Sequence, residues 1–79
     1  MAVLRLFASA REAAGTARAE VPGATVGDVI DGACSRFGPA FEAVVSTSKV
    51  WLNGEEVPRD RAVGDNDEVA VLPPVSGGS

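Results

Sequence analysis

The stretch Glu68-Val69-Ala70-Val71-Leu72-Pro73-Pro74-Val75-Ser76-Gly77-Gly78-Ser79 decides how the rest of the chain is read. A run of strand-forming apolar residues stops at a double proline, and small residues ending in Gly-Gly and one serine follow. Pro73 and Pro74 lack a backbone N–H and fix φ, so they end a ladder and hold the exit stiff and extended. The expectation is a strand through Leu72, a folded domain over residues 1–72 and a projecting tail over residues 73–79. Gly77 and Gly78 have no side chain, so such an end can enter a slot too narrow for a Cβ. A frayed terminus is the ordinary alternative, and it accounts for the glycines but not for the prolines.

A chain of 79 residues makes one domain, near the size at which a single core is only just sufficient. Its hydrophobic content of 46 %, with no long polar tract, argues for a folded globule. No apolar stretch is long enough to span a bilayer, and residues 1–10 lack the layout of a signal peptide. The expectation is a cytoplasmic protein with no membrane partner. Cys34 is the one cysteine and there is no histidine, which rules out an internal disulfide and removes the commonest general base and metal ligand. Self-contained catalysis and a bound metal are therefore not expected. A net charge of −4 disfavours nucleic acid as a partner and favours a basic protein surface.

Working back from the tail, Asn53-Gly54 between Lys49–Leu52 and Glu55–Val57 is a strong two-residue hairpin signal, because both residues tolerate positive φ. Thr25–Phe37 reads as the main helix. Thr25 and Asp28 resemble a capping box, and Val26, Val29, Ile30, Ala33, Cys34 and Phe37 recur at helical spacing. Gly38 is expected to end it in a left-handed cap and Pro39 to block its continuation. Phe41, Val44 and Val45 suggest a short second helical piece. Ala2–Phe7 reads as a strand with Leu4 and Leu6 in the core, Ala8–Ala14 as a single helical turn stopped by Gly15, and Ala17–Val21 as an edge strand. The order strand, strand, helix, hairpin, strand predicts an α+β fold of β-grasp type: a mixed sheet with one main helix on one face, its first and last strands parallel at the centre.

Cys34 falls in the apolar helix stripe and reads as a core thiol. Asp65, Asp67 and Glu68 lack the other ligands of a calcium loop and read as a solvated turn. Arg11 and Glu12 read as an exposed pair of little energetic weight or as a partner contact. Alternation is more informative. With Leu4 and Leu6, Val50 and Leu52, and Val69 and Val71 facing the helix, Phe7, Trp51 and Leu72 share the uncovered face. Three large apolar side chains beside a projecting tail read as a docking surface. The alternatives are a loop folded over them or a register off by one.

Phe7-Ala8 with Arg11-Glu12 and Gly15-Thr16, then Gly64-Asp65-Asn66-Asp67-Glu68-Val69-Ala70, then Pro73-Pro74-Val75-Ser76-Gly77-Gly78 resemble the MoaD/ThiS family of ubiquitin-like proteins, in its molybdopterin synthase sulfur-carrier branch. The resemblance implies a non-catalytic carrier with no bound cofactor. A ubiquitin-activating-type adenylyltransferase uses ATP-Mg to adenylate the terminal glycine, and a sulfur donor converts it to a thiocarboxylate. The tail then enters the synthase large subunit and gives its sulfur to a cyclic pterin precursor. By that resemblance Gly78 carries the sulfur, Gly77 gives clearance, and Phe7, Arg11, Trp51, Leu72, Pro73, Pro74 and Val75 meet the partner. Ser79 departs from the pattern, since the family's chains end in Gly-Gly. Either a peptidase removes it, or it is foreign to the natural terminus, or this is a variant carrier. Sister carriers for thiazole or cysteine synthesis, a ubiquitin-like modifier of lysines and a plain β-grasp binding module remain the alternatives.

Overall fold

The computed structural model describes residues 1–74, so the expectations resting on Val75, Gly77, Gly78 and Ser79 lie outside the described residues. Strand β1 (Ala2–Leu6) turns Ala2, Leu4 and Leu6 into the core and Arg5 to solvent. Helix α1 (Ala8–Ala14) is longer than the single turn expected of a short alanine-rich piece, because Ala10 is buried in the core. Gly15 closes it in a left-handed conformation, φ 77°, donating its N–H to the Arg11 carbonyl at 2.9 Å. The edge strand β2 (Arg18–Val21) forms despite weak propensity because Ala19 and Val21 are buried against the antiparallel β1.

The main helix α2 (Val26–Phe37) begins as the Thr25 signal requires, the Thr25 hydroxyl accepting the Asp28 N–H at 3.1 Å. Asp28 reaches back to the Ala24 N–H, 3.3 Å, and not to the N-cap residue itself. The next donors are satisfied by a distant loop. Val26 N–H donates to the Arg61 carbonyl at 2.9 Å and Gly27 N–H to the Arg59 carbonyl at 2.7 Å, so this polar connection also caps α2. Along α2, Val26, Val29, Ile30 and Ala33 are buried. Cys34 and Phe37 are only half-buried, so Cys34 packs at the margin of the core and not within it. Partial burial, with the Glu42 and Asp31 carboxylates adding to it against Arg59, pushes its thiol pKa up and disfavours the thiolate.

Gly38 differs from expectation. Its φ of 96° is positive, but ψ is −176°, so it is no left-handed cap. Its N–H closes α2 on the Cys34 carbonyl at 2.9 Å, while its own carbonyl accepts the Glu42 N–H at 3.1 Å and opens helix α3 (Pro39–Ser46). Pro39 therefore starts a helix instead of merely blocking one, since a missing N–H costs nothing in the first turn. Phe41 and Val45 of α3 are buried, and the Phe41 ring meets Phe37 with centroids 5.2 Å apart.

Strands β3 (Lys49–Leu52) and β4 (Glu55–Glu56) pair through Leu52 and Glu55, with Asn53 at φ 50° and Gly54 at φ 90° making the expected hairpin turn. Strand β5 (Glu68–Leu72) completes a sheet ordered β2-β1-β5-β3-β4. It runs parallel to β1 and antiparallel to β3. Leu4 pairs with Val69 and Val50 with Val71, and these four side chains face the helices. This is the ubiquitin-like β-grasp, with its central strand leading to Pro73 and Pro74.

Candidate functional site

The site is the open sheet face around the root of the tail. Two rungs define it. In one, Arg18, Arg5, Ala70, Trp51 and Glu56 succeed one another across β2, β1, β5, β3 and β4. In the next, Leu72 pairs with Lys49, and the β1–β5 register continued by one residue sets Phe7 level with Leu72. Alternation thus brings Phe7, Trp51 and Leu72 together on the uncovered side. Phe7 is 40 % exposed and Leu72 half-buried. Pro73 is half-buried and Pro74 exposed, so the chain leaves the sheet at this end of its central strand.

Trp51 is less exposed than its place on the uncovered face would suggest. It is half-buried, and its Nε1 is shut off from solvent without an acceptor among the described residues. The alternation named the face correctly, and across the sheet Trp51 stands between Ala70 of β5 and Glu56 of β4. Arg11 is carried by α1, off the sheet, and is exposed.

Charge is arranged along the strands, a feature that pattern reading passed over. Arg5 and Arg18 face each other as like charges, and Lys49 stands at the same end of the sheet, where the tail departs. The Arg5 guanidinium lies 6.0 Å from the Phe7 ring centroid and 3.3 Å from Glu68. At the opposite end the acids gather. The amino terminus lies 2.8 Å from Asp65, which holds that carboxyl below its usual pKa. Asp67 accepts from Gly64 N–H at 2.8 Å and from the Asn53 amide at 3.0 Å, and these bonds lower its pKa as well. Asn53 also accepts the Glu68 N–H at 2.9 Å, so the hairpin turn is bonded to the start of β5. The acids are thereby engaged in turn hydrogen bonds, and among the described residues no group of three or more could hold a metal ion.

A β-grasp sheet whose central strand runs out into a tail defines a ubiquitin-like protein. The comparisons narrow this. The profile of the ThiS family matches residues 4–78, through the glycine pair, and the chain belongs to that family. Small archaeal modifier protein 1 of Haloferax volcanii is 40% identical over 85 residues, the alignment taking in 94% of this chain and 97% of that one. Its crystal structure superposes with a TM-score of 0.81 at 38% identity, covering 96% of this chain and 97% of that chain. The molybdopterin synthase sulfur carrier subunit of Chlamydomonas reinhardtii is 50% identical over 42 residues, about half of each chain, 51%. A chain in the crystal structure of the Amycolatopsis orientalis BexX/CysO complex is 27% identical with a TM-score of 0.80, covering 99% of this chain and 100% of that one. The protein is thus a ubiquitin-like sulfur carrier or modifier of the ThiS/MoaD type, and no helix among its described residues is long and apolar enough to cross a membrane.

Proposed function

We propose that this chain is the cytoplasmic sulfur carrier of molybdopterin biosynthesis, acting through Gly78 once a peptidase has removed Ser79. The observation behind the reading is the passage of the central strand, at Leu72, into Pro73-Pro74 and then a glycine pair that lies within the family match. An adenylyltransferase with ATP-Mg joins the Gly78 carboxylate to AMP, releasing pyrophosphate. Sulfur from a donor displaces AMP and leaves a thiocarboxylate. The chain contributes no catalytic side chain and binds no cofactor. Its own residues present and position: Phe7, Trp51 and Leu72 dock the synthase large subunit, Arg11 meets it from α1, off the sheet, and Pro73, Pro74 and Val75 direct a tail that Gly77 keeps slim. Tethering the sulfur turns delivery to a cyclic pterin into a positioned step.

A second reading, a modifier of protein lysines, is favoured by the 40% identity to a modifier over almost the whole chain. Both readings need the same adenylate and diverge at what attacks it. The test is to give protein ending at Gly78 the activating enzyme, ATP-Mg and a sulfur donor, then the large subunit and the cyclic pterin. The expected result is the mass gain of one oxygen replaced by sulfur, followed by dithiolene formation. No mass gain under conditions that charge a known carrier overturns the carrier reading. Sulfur loading without transfer to the pterin would point to the thiazole or cysteine branch, and conjugates of higher mass in cell extracts to the modifier.

A further inference from the structure

Strand β2 is an edge of the sheet, so half of its backbone N–H and C=O groups point away from β1. The Leu6 N–H donates to the Ala17 carbonyl at 2.9 Å. Antiparallel alternation from that bond turns the backbone groups of Ala19 and Val21 toward β1 and those of Arg18 and Glu20 outward. Three of these four outward groups are taken up by the chain's own side chains. The Thr16 hydroxyl accepts the Arg18 N–H at 3.4 Å and donates to the Arg18 carbonyl at 2.9 Å. The Arg36 guanidinium, reaching over from α2, donates to the Glu20 carbonyl at 3.2 Å. The fourth group, the Glu20 N–H, points outward with no acceptor among the described residues. The side chains of the same two residues are exposed and also unmatched. Arg18 lies opposite Arg5, and neither Arg18 nor Glu20 forms an ion pair among the described residues.

We infer that β2 is a self-complementary edge at which a second copy of this chain adds antiparallel, with Thr16 and Arg36 as side-chain latches that compete with it. With Ala19 facing its counterpart at the centre, Arg18 of each copy stands opposite Glu20 of the other. These are the residues whose backbone groups point outward, so the register that matches the hydrogen bonds also matches the charges. Each Arg18, to which β1 offers only a like charge, thereby gains a carboxylate. A slip of one residue loses both matches at once. The opposite edge has no such row: β4 is two residues long and both are glutamates, which repel their own kind. While the latches are shut, the groups that a second copy needs are already bonded, and association is held weak. The two-fold axis stands perpendicular to the sheet, so the open faces of both copies lie on one side and Phe7, Trp51 and Leu72 stay uncovered in each. The inference holds whichever reaction Gly78 takes part in.

The experiment follows the full chain by sedimentation equilibrium over a concentration series, with and without Thr16→Val and Arg36→Met together, which remove both latches. We expect the unlatched protein to dimerise at least about tenfold more tightly than the parent, since the hydrogen bonds of Thr16 and Arg36 no longer compete. In the unlatched background, Arg18→Glu alone sets two carboxylates opposite each other and Glu20→Arg alone sets two guanidinium groups opposite each other. Each should be monomeric, and their equimolar mixture should form a heterodimer. The Glu20 amide should exchange its proton more slowly in the dimer, whereas the Ala19 amide, already directed to β1, should change little. An unlatched protein that stays monomeric, charge variants that dimerise on their own, a mixture that does not recover, or unchanged exchange at Glu20 overturns the inference. Should the unlatched protein fail to fold, the same two charge variants are mixed in the parent background at higher concentration, where recovery or its absence still decides.

Discussion

Replacing Trp51 by phenylalanine removes the indole N–H while keeping an aromatic ring on the open face. Two effects oppose each other. The Nε1 of Trp51 is buried and lacks an acceptor among the described residues, and leaving such a donor unpaired costs about 1–3 kcal/mol. Phenylalanine is smaller by roughly 30–40 Å² of buried apolar surface, a loss of about 1 kcal/mol at ~25 cal/mol per Å². Deleting the unpaired donor therefore offsets the lost area, and the variant is expected to match or exceed the parent in stability. Because Trp51 is the single tryptophan, unfolding is followed by circular dichroism in urea and not by its fluorescence. A truncation to alanine is the control: it forfeits most of the ring and should lower the midpoint clearly. A loss above about 2 kcal/mol for Trp51→Phe, comparable to emptying a core position, would show that the indole nitrogen is bonded or that the whole ring is tightly held. The parent's emission should already be partly shielded before any partner is added, so docking should shift it only modestly to the blue.

Gly38→Ala should cost about 1–3 kcal/mol, because φ 96° with ψ −176° is open essentially only to glycine. Nothing stands within 4 Å of the added Cβ, so the loss is backbone strain, and Gly15→Asn in its left-handed position should be far milder in the same thermal melts. Equal losses at the two sites would refute the distinction. The Asp67 carboxyl is held below its usual 3.8 by the Gly64 N–H and the Asn53 amide. A depressed pKa contributes stability that is full above the unfolded value and disappears as pH falls through the folded one. Asp67→Asn should therefore be less stable than the parent at neutral pH and lose less on acidification below about pH 4, measured as melting temperature against pH. Parallel profiles for the two proteins would mean that the turn does not hold this carboxylate.

Where the sequence was legible, the reason was a short-range rule with one geometric answer. Asn53-Gly54 specified the hairpin because both residues accept positive φ, and two-residue alternation placed Leu4, Leu6, Val50, Leu52, Val69 and Val71 toward the helices. Where it was not, the deciding contact came from elsewhere in the chain. No local pattern announces that the carbonyls of Arg59 and Arg61 cap a helix more than thirty positions earlier, or that Gly38 serves two helices at once. Alternation named the face of Trp51 but not its burial, since burial depends on neighbours across the sheet. The shared face of Phe7, Trp51 and Leu72 was legible because register is unforgiving: slipping β5 by one residue against β1 would turn Val69 and Val71 to solvent and Leu72 into the core. The core pairings therefore fix which side chains meet where the chain leaves the sheet. Phe7 and Leu72 are apolar and stood out for that reason. Lys49 belongs to no apolar pattern, and only the β3–β5 register reveals that it stands opposite Leu72, at the end of the sheet that Phe7 shares.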